Sequence, residues 1–588
     1  MDFGRFNDVV EYTQRFEFAR GPDKVTTLRA AVAEHIRPGM AIHTGITHAF
    51  PYALCAEITR RFHGTRPGFT IYSLGAVNHV VIWVLERFVK KLVSSYCGDV
   101  YPAPGPNPAF NDAYVSGEVE FENWSVLTYS LRMLAGAMGW PFVPTRSLLG
   151  SSMENDNAAS MRVLDDPEWG RVALLKPAHP DISLYHAWAA DRSGNAIFAP
   201  PYAENVWGAM ASRGGAILTC ERVVDTEFIR RHSAFARLPG RYVKAVVHAP
   251  MGAHPGGFFP GGIADVESYA EDYDFIVDFR MANRKPETFT PWLDEWVLSV
   301  PDHEAYVRKL GAERIAMLKA RSAPDFWRRD LAAFEKELSD SPGCNGAEFM
   351  TVAAAREIAR RVRAGGHSMI LAGQGSSNLA AWLAFYALRE GGVPCELVAE
   401  TGFYGYSPRP ASPFLFNFYN IPACTTLTDA MQTLGVFVGG SQASCIGSLS
   451  AGQVDGNGNL NSTCIPGAYY LVGSGGANDV ASTARELVVT VPLSPMRYLE
   501  QVPYVTAPGH TVAAIVSEEC IMRRGPDGAF RIEALLGEGG AAEDRVRSIR
   551  GKCGFELAAA PGLDFEPAPA LRDLKLLRSF DPRRAFLR

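Results

Sequence analysis

The sequence predicts an α/β fold of two tandem, homologous, open α/β domains, and three paired segments predict it. An apolar strand runs into a glycine-containing loop at Met40-Ala41-Ile42-His43-Thr44-Gly45 and again at Met369-Ile370-Leu371-Ala372-Gly373. A turn rich in residues that tolerate positive φ follows each, first as Asp191-Arg192-Ser193-Gly194-Asn195 and then as Asp455-Gly456-Asn457-Gly458-Asn459. Apolar β-rich runs come third, at Ala216-Ile217-Leu218-Thr219 and Leu487-Val488-Val489-Thr490-Val491. One echo is weak, but three in the same order mark a duplicated unit. At 588 residues the chain is too long for one core. We divide it into a first domain over 1–320, a charged helical linker over 321–346 and a second domain over 347–588.

The linker rests on composition. Between Pro301 and Glu348 the chain is rich in Lys, Arg, Asp and Glu, reads as surface helix through Phe326-Trp327-Arg328-Arg329-Asp330-Leu331, and breaks at Ser341-Pro342-Gly343-Cys344-Asn345-Gly346. An amphipathic helix is expected from Thr351 to Ala364, stopped by Gly365-Gly366 as a C-cap. The strand Met369-Ile370-Leu371 then opens the second domain, and Gly373-Gln374-Gly375-Ser376-Ser377-Asn378 leads into a helix over Leu379 to Arg389.

A short apolar run, Cys395-Glu396-Leu397-Val398-Ala399, ends at Glu400, followed by Thr401-Gly402. Open α/β sheets place ligands beyond the carboxyl ends of their strands. If the two strands are parallel neighbours, the glycine loop and Glu400 share one sheet edge. Bare amides at a strand-to-helix turn can hold a phosphate or a developing oxyanion, and the carboxylate can attack a carbonyl held there. A second glycine cluster, Val472-Gly473-Ser474-Gly475-Gly476-Ala477-Asn478-Asp479, lets a ligand approach the backbone, with Asn478 or Asp479 expected as helix N-cap.

Composition excludes several classes. With 47% hydrophobic and 20% charged residues the chain reads as an ordinary globular protein. A net charge of -6 gives no electrostatic footprint for nucleic acid. The start, Met1-Asp2-Phe3-Gly4-Arg5, lacks the basic and apolar blocks of a secretory signal, and the uncharged stretch Ser368 to Leu388 is too polar for a membrane span. We therefore expect a soluble cytoplasmic protein. The ten cysteines lie singly, without Cys-x-x-Cys, and no metal-ligand spacing joins the thirteen histidines. No metal is expected, the cysteines read as small core residues, and His186 and His254 read as hydrogen-bonded structural groups. Gly373-x-Gly375-x-x-Asn378 lacks the third glycine of a dinucleotide fingerprint, although Glu396 lies near the offset of a ribose-binding acid; neither nicotinamide nor flavin is expected.

Taken together, Gly373-Gln374-Gly375, Glu400-Thr401-Gly402, Gln453 to Asn461, Gly473 to Asp479 and Tyr504-Val505-Thr506-Ala507-Pro508-Gly509-His510 resemble, in order and spacing, the β subunit of class I CoA-transferases of the glutaconate CoA-transferase type. Ser116 to Glu120, Pro144 to Ser151, His186 to Asn195 and Ala249 to Pro255 resemble the matching α subunit. The chain looks like both subunits fused. That resemblance implies a ping-pong transfer of coenzyme A, a co-substrate, between an acyl-CoA and a carboxylic acid. Glu400 would be the nucleophile, forming a glutamyl anhydride and then a glutamyl-CoA thioester. It further implies Gly373 and Gly375 as oxyanion-hole residues, Gly475, Gly476 and Ala477 on the coenzyme A side, and association into a homo-oligomer, a dimer or tetramer. The run Phe403-Tyr404-Gly405-Tyr406 is more aromatic than the family pattern and leaves the acyl group open.

Other residues keep alternatives open. Glu118, Glu120 and Glu122 alternate, so on a strand they share one face, read first as a solvated acidic face. Related hydrolases of CoA-bound β-dicarbonyl intermediates resemble this fold but use an acid in the α-type half, for which Glu122 is the candidate. Ser376 and Asn378 are candidate substrate contacts. Arg146 can clamp a substrate carboxylate or anchor the loop at Ser147. Met153-Glu154-Asn155-Asp156-Asn157 reads as a surface loop. Transfer of coenzyme A is the favoured function; acyl-CoA or cyclic β-diketone hydrolysis, and non-catalytic binding of coenzyme A or a nucleotide, are the alternatives.

Overall fold

The computed structural model describes residues 3–17, 21–259, 263, 266–336, 338, 343–537 and 539–588. The break foreseen at Ser341-Pro342 lies outside them.

Seven of the nine strands in the first sheet run parallel: β1 (Ala41–Thr44), β2 (Phe69–Ala76), β3 (Val89–Cys97), β4 (Glu120–Asn123), β5 (Ile182–Asp191), β6 (Ala216–Val224) and β7 (Val243–His248). Their order is β7-β6-β5-β1-β2-β3-β4. β5 is buried at all ten positions, as a central parallel strand covered on both faces must be.

The second sheet repeats the plan. Its strands β8 (Met369–Ala372), β9 (Glu396–Ala399), β10 (Cys445–Ser450), β11 (Glu486–Thr490) and β12 (Val512–Val516) run parallel in the order β9-β8-β10-β11-β12. Beyond β12 the sheet continues through antiparallel β13 (Cys520–Arg524) and β14 (Phe530–Leu536) to β15 (Ala558–Glu566). In each sheet the strand before the glycine loop, β1 or β8, sits between the next strand in sequence and a later one. One apolar cluster spans both sheets, including Ile42, Ile71 and Leu184 of the first and Leu371, Val398 and Leu487 of the second. Each such fully buried side chain contributes roughly 1.5–3 kcal/mol.

The two Asp turns make the duplication physical. Asp191 Oδ1 accepts from the amides of Ser193 and Asn195, and its Oδ2 from the Asn195 side chain. Asp455 accepts the same three bonds from Asn457 and Asn459. Asn195 Oδ1 then takes the Gly240 amide and Asn459 Oδ1 the Gly509 amide, both at 2.9 Å, just before β7 and β12. A turn, a short 3-10 segment and the next strand are thus fixed identically in both halves.

Several local expectations are corrected. Helix α1 (Gly346–Gly365) starts five residues earlier than expected, because Asn345 and Glu348 form a capping box that draws Gly346 to Met350 into the helix; Gly366 at φ 63 ends it. Helix α2 (Ser376–Glu390) likewise begins directly at Gly375. Residues 153–157 are not a surface loop. Ser152–Asp156 is helical, Met153 and Asn157 are buried, and Asp156 accepts from Tyr504 of the second half. Only Glu120 and Glu122 lie on β4; Glu118 precedes the strand, and Lys91 of β3 bridges the other two rather than leaving a purely solvated face. His186 and His254 are structural as expected, bonded to Thr219 and Glu221 and to Tyr306 and Asp272. Seven of the ten cysteines are buried. Among the described residues no helix is long and apolar enough to cross a membrane.

Candidate functional site

β8 and β9 pair in parallel with Met369 beside Glu396 and Leu371 beside Val398, so the Gly373–Gly375 loop and Glu400 leave the sheet at the same edge. Glu400 begins a tight turn. Gly402 sits at φ 121, where a Cβ would lie 2.1 Å from the Thr428 carbonyl oxygen, so only glycine lets the chain reverse there. The turn is docked on the first domain: the Ala203 amide donates to the Thr401 carbonyl at 3.1 Å, and Thr401 Oγ1 bonds His48 Nε2 at 3.0 Å. Burial pushes His48 down to about 4, so its ring is neutral at ordinary pH.

Across from this turn, the second glycine cluster lies on the edge of the first sheet. The Gly475 amide donates to Ser95 at 2.8 Å, the Cys97 amide to Val472 at 2.8 Å, and the Val126 amide to Gly475 at 3.1 Å. Gly473, at φ 96, has the Ser95 carbonyl 2.5 Å from where a Cβ would stand. Gly475, at φ 52, faces open space. Gly476 touches the acid itself: a Cβ there would lie 2.1 Å from Glu400 Oε2. Ala477 opens the following helix, Ala477–Thr483.

That helix corrects a capping expectation. Its N-cap is Gly476, while Asn478 and Asp479 turn inward to clasp the other domain. Asn478 Oδ1 accepts the Leu148 amide at 2.8 Å, and Asp479 accepts the Ser125 hydroxyl and the Leu127 amide at 2.5 and 2.9 Å. Burial raises the Asp479 carboxyl to about 6. Glu400 is raised further, to about 7, by burial and then by the negative charge of Asp479, with the Gly476 amide partly opposing. A carboxylate of this basicity is a stronger nucleophile than an ordinary glutamate, and only part of it is ionised at neutral pH.

The glycine loop divides in two. The Gly373 amide donates to Ser448 at 2.8 Å, and a Cβ there would meet that carbonyl at 2.5 Å. Its donor is spent on the sheet, so Gly373 is corrected from an oxyanion-hole residue to a packing residue. Gly375, at φ 92, has nothing closer to its Cβ position than Ser450 Oγ at 3.6 Å and caps α2 without any side-chain bond. Ser376 follows it, half-buried. Asn378 is fully buried; its side-chain amide donates to Pro413, while its Oδ1 is buried without a partner.

The remaining acid and base candidates lie in other settings. Glu122 is held by Lys91 at 2.7 Å, Arg132 at 3.0 Å and the Trp124 indole at 2.7 Å. Burial pushes its carboxyl up, but these partners outweigh burial and hold it below the usual range. Arg146 is exposed next to buried Ser147. Among the described residues no cluster of three or more His, Cys, Asp or Glu has metal-binding geometry. Sequence reasoning missed His48 and Glu204. Glu204, 1% exposed, accepts the Thr47 amide on both oxygens and so holds the loop that presents His48. Neither residue sits in a spacing pattern; only the docking of 202–205 on the Thr401 turn brings them to the site.

Comparison with known proteins agrees with this architecture. The sequence profile of the family described as Coenzyme A transferase matches residues 25–249. Over 317 residues the chain is 28% identical to a glutaconate CoA-transferase polypeptide of Acidaminococcus fermentans, covering 50% of this chain and 94% of that one. Over 307 residues it is 27% identical to the cholesterol ring-cleaving hydrolase IpdA subunit of Rhodococcus jostii, covering 50% of this chain and 98% of that one. An acyl-CoA transferase crystal structure from Escherichia coli O157:H7 matches with a TM-score of 0.64 at 17% identity, covering 94% of this chain and 98% of the other, so the shared fold runs through both domains. Residues 25–249 thus match the coenzyme A transferase family, and the fold of that acyl-CoA transferase runs through both domains of this one polypeptide.

Proposed function

We propose that the protein transfers coenzyme A between an acyl-CoA and a carboxylic acid by a ping-pong route through Glu400. The observation that carries this reading is the setting of Glu400: a basic carboxylate at a strand end, against Gly476 and beside the open Gly375 turn, between two domains. Its ionised oxygen attacks the thioester carbonyl carbon and expels the coenzyme A thiolate, leaving an acyl-glutamyl anhydride. The thiolate attacks the glutamyl carbonyl and releases the donor acid, leaving a glutamyl-CoA thioester. An acceptor carboxylate then attacks that thioester, and the thiolate returns to the acceptor's carbonyl and frees Glu400. The thioester bond energy is conserved at each exchange.

In this reading the Gly375 amide stabilises the developing oxyanion, and Gly475, Gly476 and Ala477 border the coenzyme A side. Coenzyme A is a co-substrate, the chain divides at 1–320, 321–346 and 347–588, and it assembles as a homo-oligomer. Hydrolysis through Glu122 is less supported, because a carboxylate paired with Lys91 and Arg132 is a poor proton donor at neutral pH. The test is mass spectrometry of the intact protein after incubation with an acyl-CoA and no acceptor. A glutamyl-CoA adduct on the Glu400 peptide, released by hydroxylamine and lost in Glu400→Ala, is expected. Full turnover by Glu400→Ala, with activity lost in Glu122→Ala, would sink the transferase reading.

A further inference from the structure

A cavity adjoins the Glu400 turn. Residues 46–49 and 198–201 of the first half and 416–421 of the second enclose a space of about 30 Å³. Its walls include Ile46, Phe198, Phe258, Phe416, Phe418 and Ile421. His48 ties it to the candidate site: one side of its ring packs on Phe416, with centroids 5.3 Å apart, and its Nε2 bonds Thr401, the neighbour of Glu400. The Ala203 amide, just after the Pro200-Pro201 wall, bonds the Thr401 carbonyl. Three wall segments thus converge on the turn that carries the acid.

The charges around this cavity are one-sided. No lysine or arginine is among its described lining residues. His48 is kept neutral by burial, and His186, which also lines it, has both ring nitrogens engaged by Thr219 and Glu221. Among the described lining residues the one ionisable group left to meet a ligand is Glu271, whose Oε2 is buried without a hydrogen-bond partner; Thr47 Oγ1 is buried and unpartnered as well. A ligand carboxylate entering here would lose its hydration, find no cation and face an acid. An apolar tail would gain from the same walls. The volume admits roughly two to three water-sized groups.

We propose that this cavity takes the tail of the acyl group and selects short acyl groups that are uncharged at the far end, of the butyryl or isobutyryl kind, against dicarboxylic ones. The inference rests on the reading of Glu400 as the nucleophile. Dicarboxylic selectivity would need a guanidinium or ammonium at this wall, which the described lining lacks.

The experiment compares the full chain's rate of glutamyl-CoA formation from butyryl-CoA, isobutyryl-CoA, succinyl-CoA and glutaryl-CoA, each without acceptor. At least tenfold faster formation from the first two is expected. Equal or faster formation from succinyl- or glutaryl-CoA overturns the selectivity while leaving the Glu400 reading intact; no adduct from any of the four overturns both. Glu271→Lys should reverse the preference toward glutaryl-CoA. Should that variant fail to fold, Glu271→Gln removes the acid with little change of shape and should raise the glutaryl-to-butyryl ratio severalfold. An unchanged ratio in Glu271→Gln shows that the tail lies elsewhere.

Discussion

The same turn of chain meets different chemistry in the two domains. In the first, the Gly45 amide donates to Leu184 across to β5; in the second, the Gly373 amide donates to Ser448 across to β10. Aligning these glycines and following the parallel register to the next strand sets Leu74 of β2 opposite Glu400. Leu74 is 2% exposed, and β2 continues two residues past it to Ala76. β9 stops at Ala399, and Glu400 turns out of the sheet. The glycine that both domains share serves the fold, whereas the acid that only the second carries, and the early strand end that turns it out of the sheet, belong to the proposed site. Gly373 accordingly belongs with the scaffold, while Gly476 lies against Glu400 and Gly375 borders the proposed site.

The sharpest way to break this contrast is at Glu400 itself. Glu400→Ala should lower kcat by on the order of 10⁴ or more, as loss of a covalent nucleophile does, with unchanged thermal unfolding and no thioester by mass spectrometry. Wild-type-like turnover would make Glu400 no more functional than Leu74.

The Asp turns test the shared part. Asp191→Ala and Asp455→Ala each remove an acceptor of three local hydrogen bonds and leave partly buried amides unmet, so each should destabilise its domain by about 2–3 kcal/mol, read from denaturant midpoints. Similar losses in both are expected; a cost confined to one domain would separate turns that the hydrogen bonds equate.

Gly476→Ala and Gly475→Ala separate contact from conformation. At Gly476 the backbone suits alanine, at φ -85, but the new methyl would displace the Glu400 carboxylate, so kcat/KM should fall about 100-fold with little change in stability. At Gly475 there is space but φ is 52, so the cost should be about 1 kcal/mol of stability and a smaller catalytic loss. The reverse ranking in activity would move the reacting acid away from Gly476.

How much of this was legible in the sequence depends on whether the determinant was local. The duplicated strands and Asp turns were visible because turn chemistry and apolar runs are written in consecutive residues. Glu400 was visible as an acid at a strand end next to a glycine loop. Asn478 and Asp479 were misread as N-caps because their short polar side chains suit that role locally, while their partners, Leu148, Ser125 and Leu127, are more than 300 residues away. The early start of α1 was hidden because Gly346 reads as a breaker, whereas the Asn345–Glu348 capping box overrides it. His48 was silent because only the docking of the two domains brings Thr401 to it, and Glu204 because its partner Thr47 is more than 150 residues away.

A shift in the pH profile probes the pair of acids that the second domain alone assembles. With the Glu400 carboxyl near 7, the nucleophilic form is the deprotonated one, so kcat/KM should rise as pH increases through about 7 and level off above it. Asp479, itself near 6, is mostly charged over that range and disfavours ionisation of Glu400. The apparent midpoint therefore belongs to the pair. Asp479→Asn keeps an oxygen to accept from Ser125 or Leu127 but removes the charge, so the rising limb should shift to lower pH, by about one unit or about 1.4 kcal/mol. Burial, the larger cause, remains, so the midpoint should stay above that of an ordinary glutamate. A limb that does not move in Asp479→Asn, in a variant that still unfolds like the parent, would mean that Asp479 only clasps the first domain and that burial alone raises Glu400.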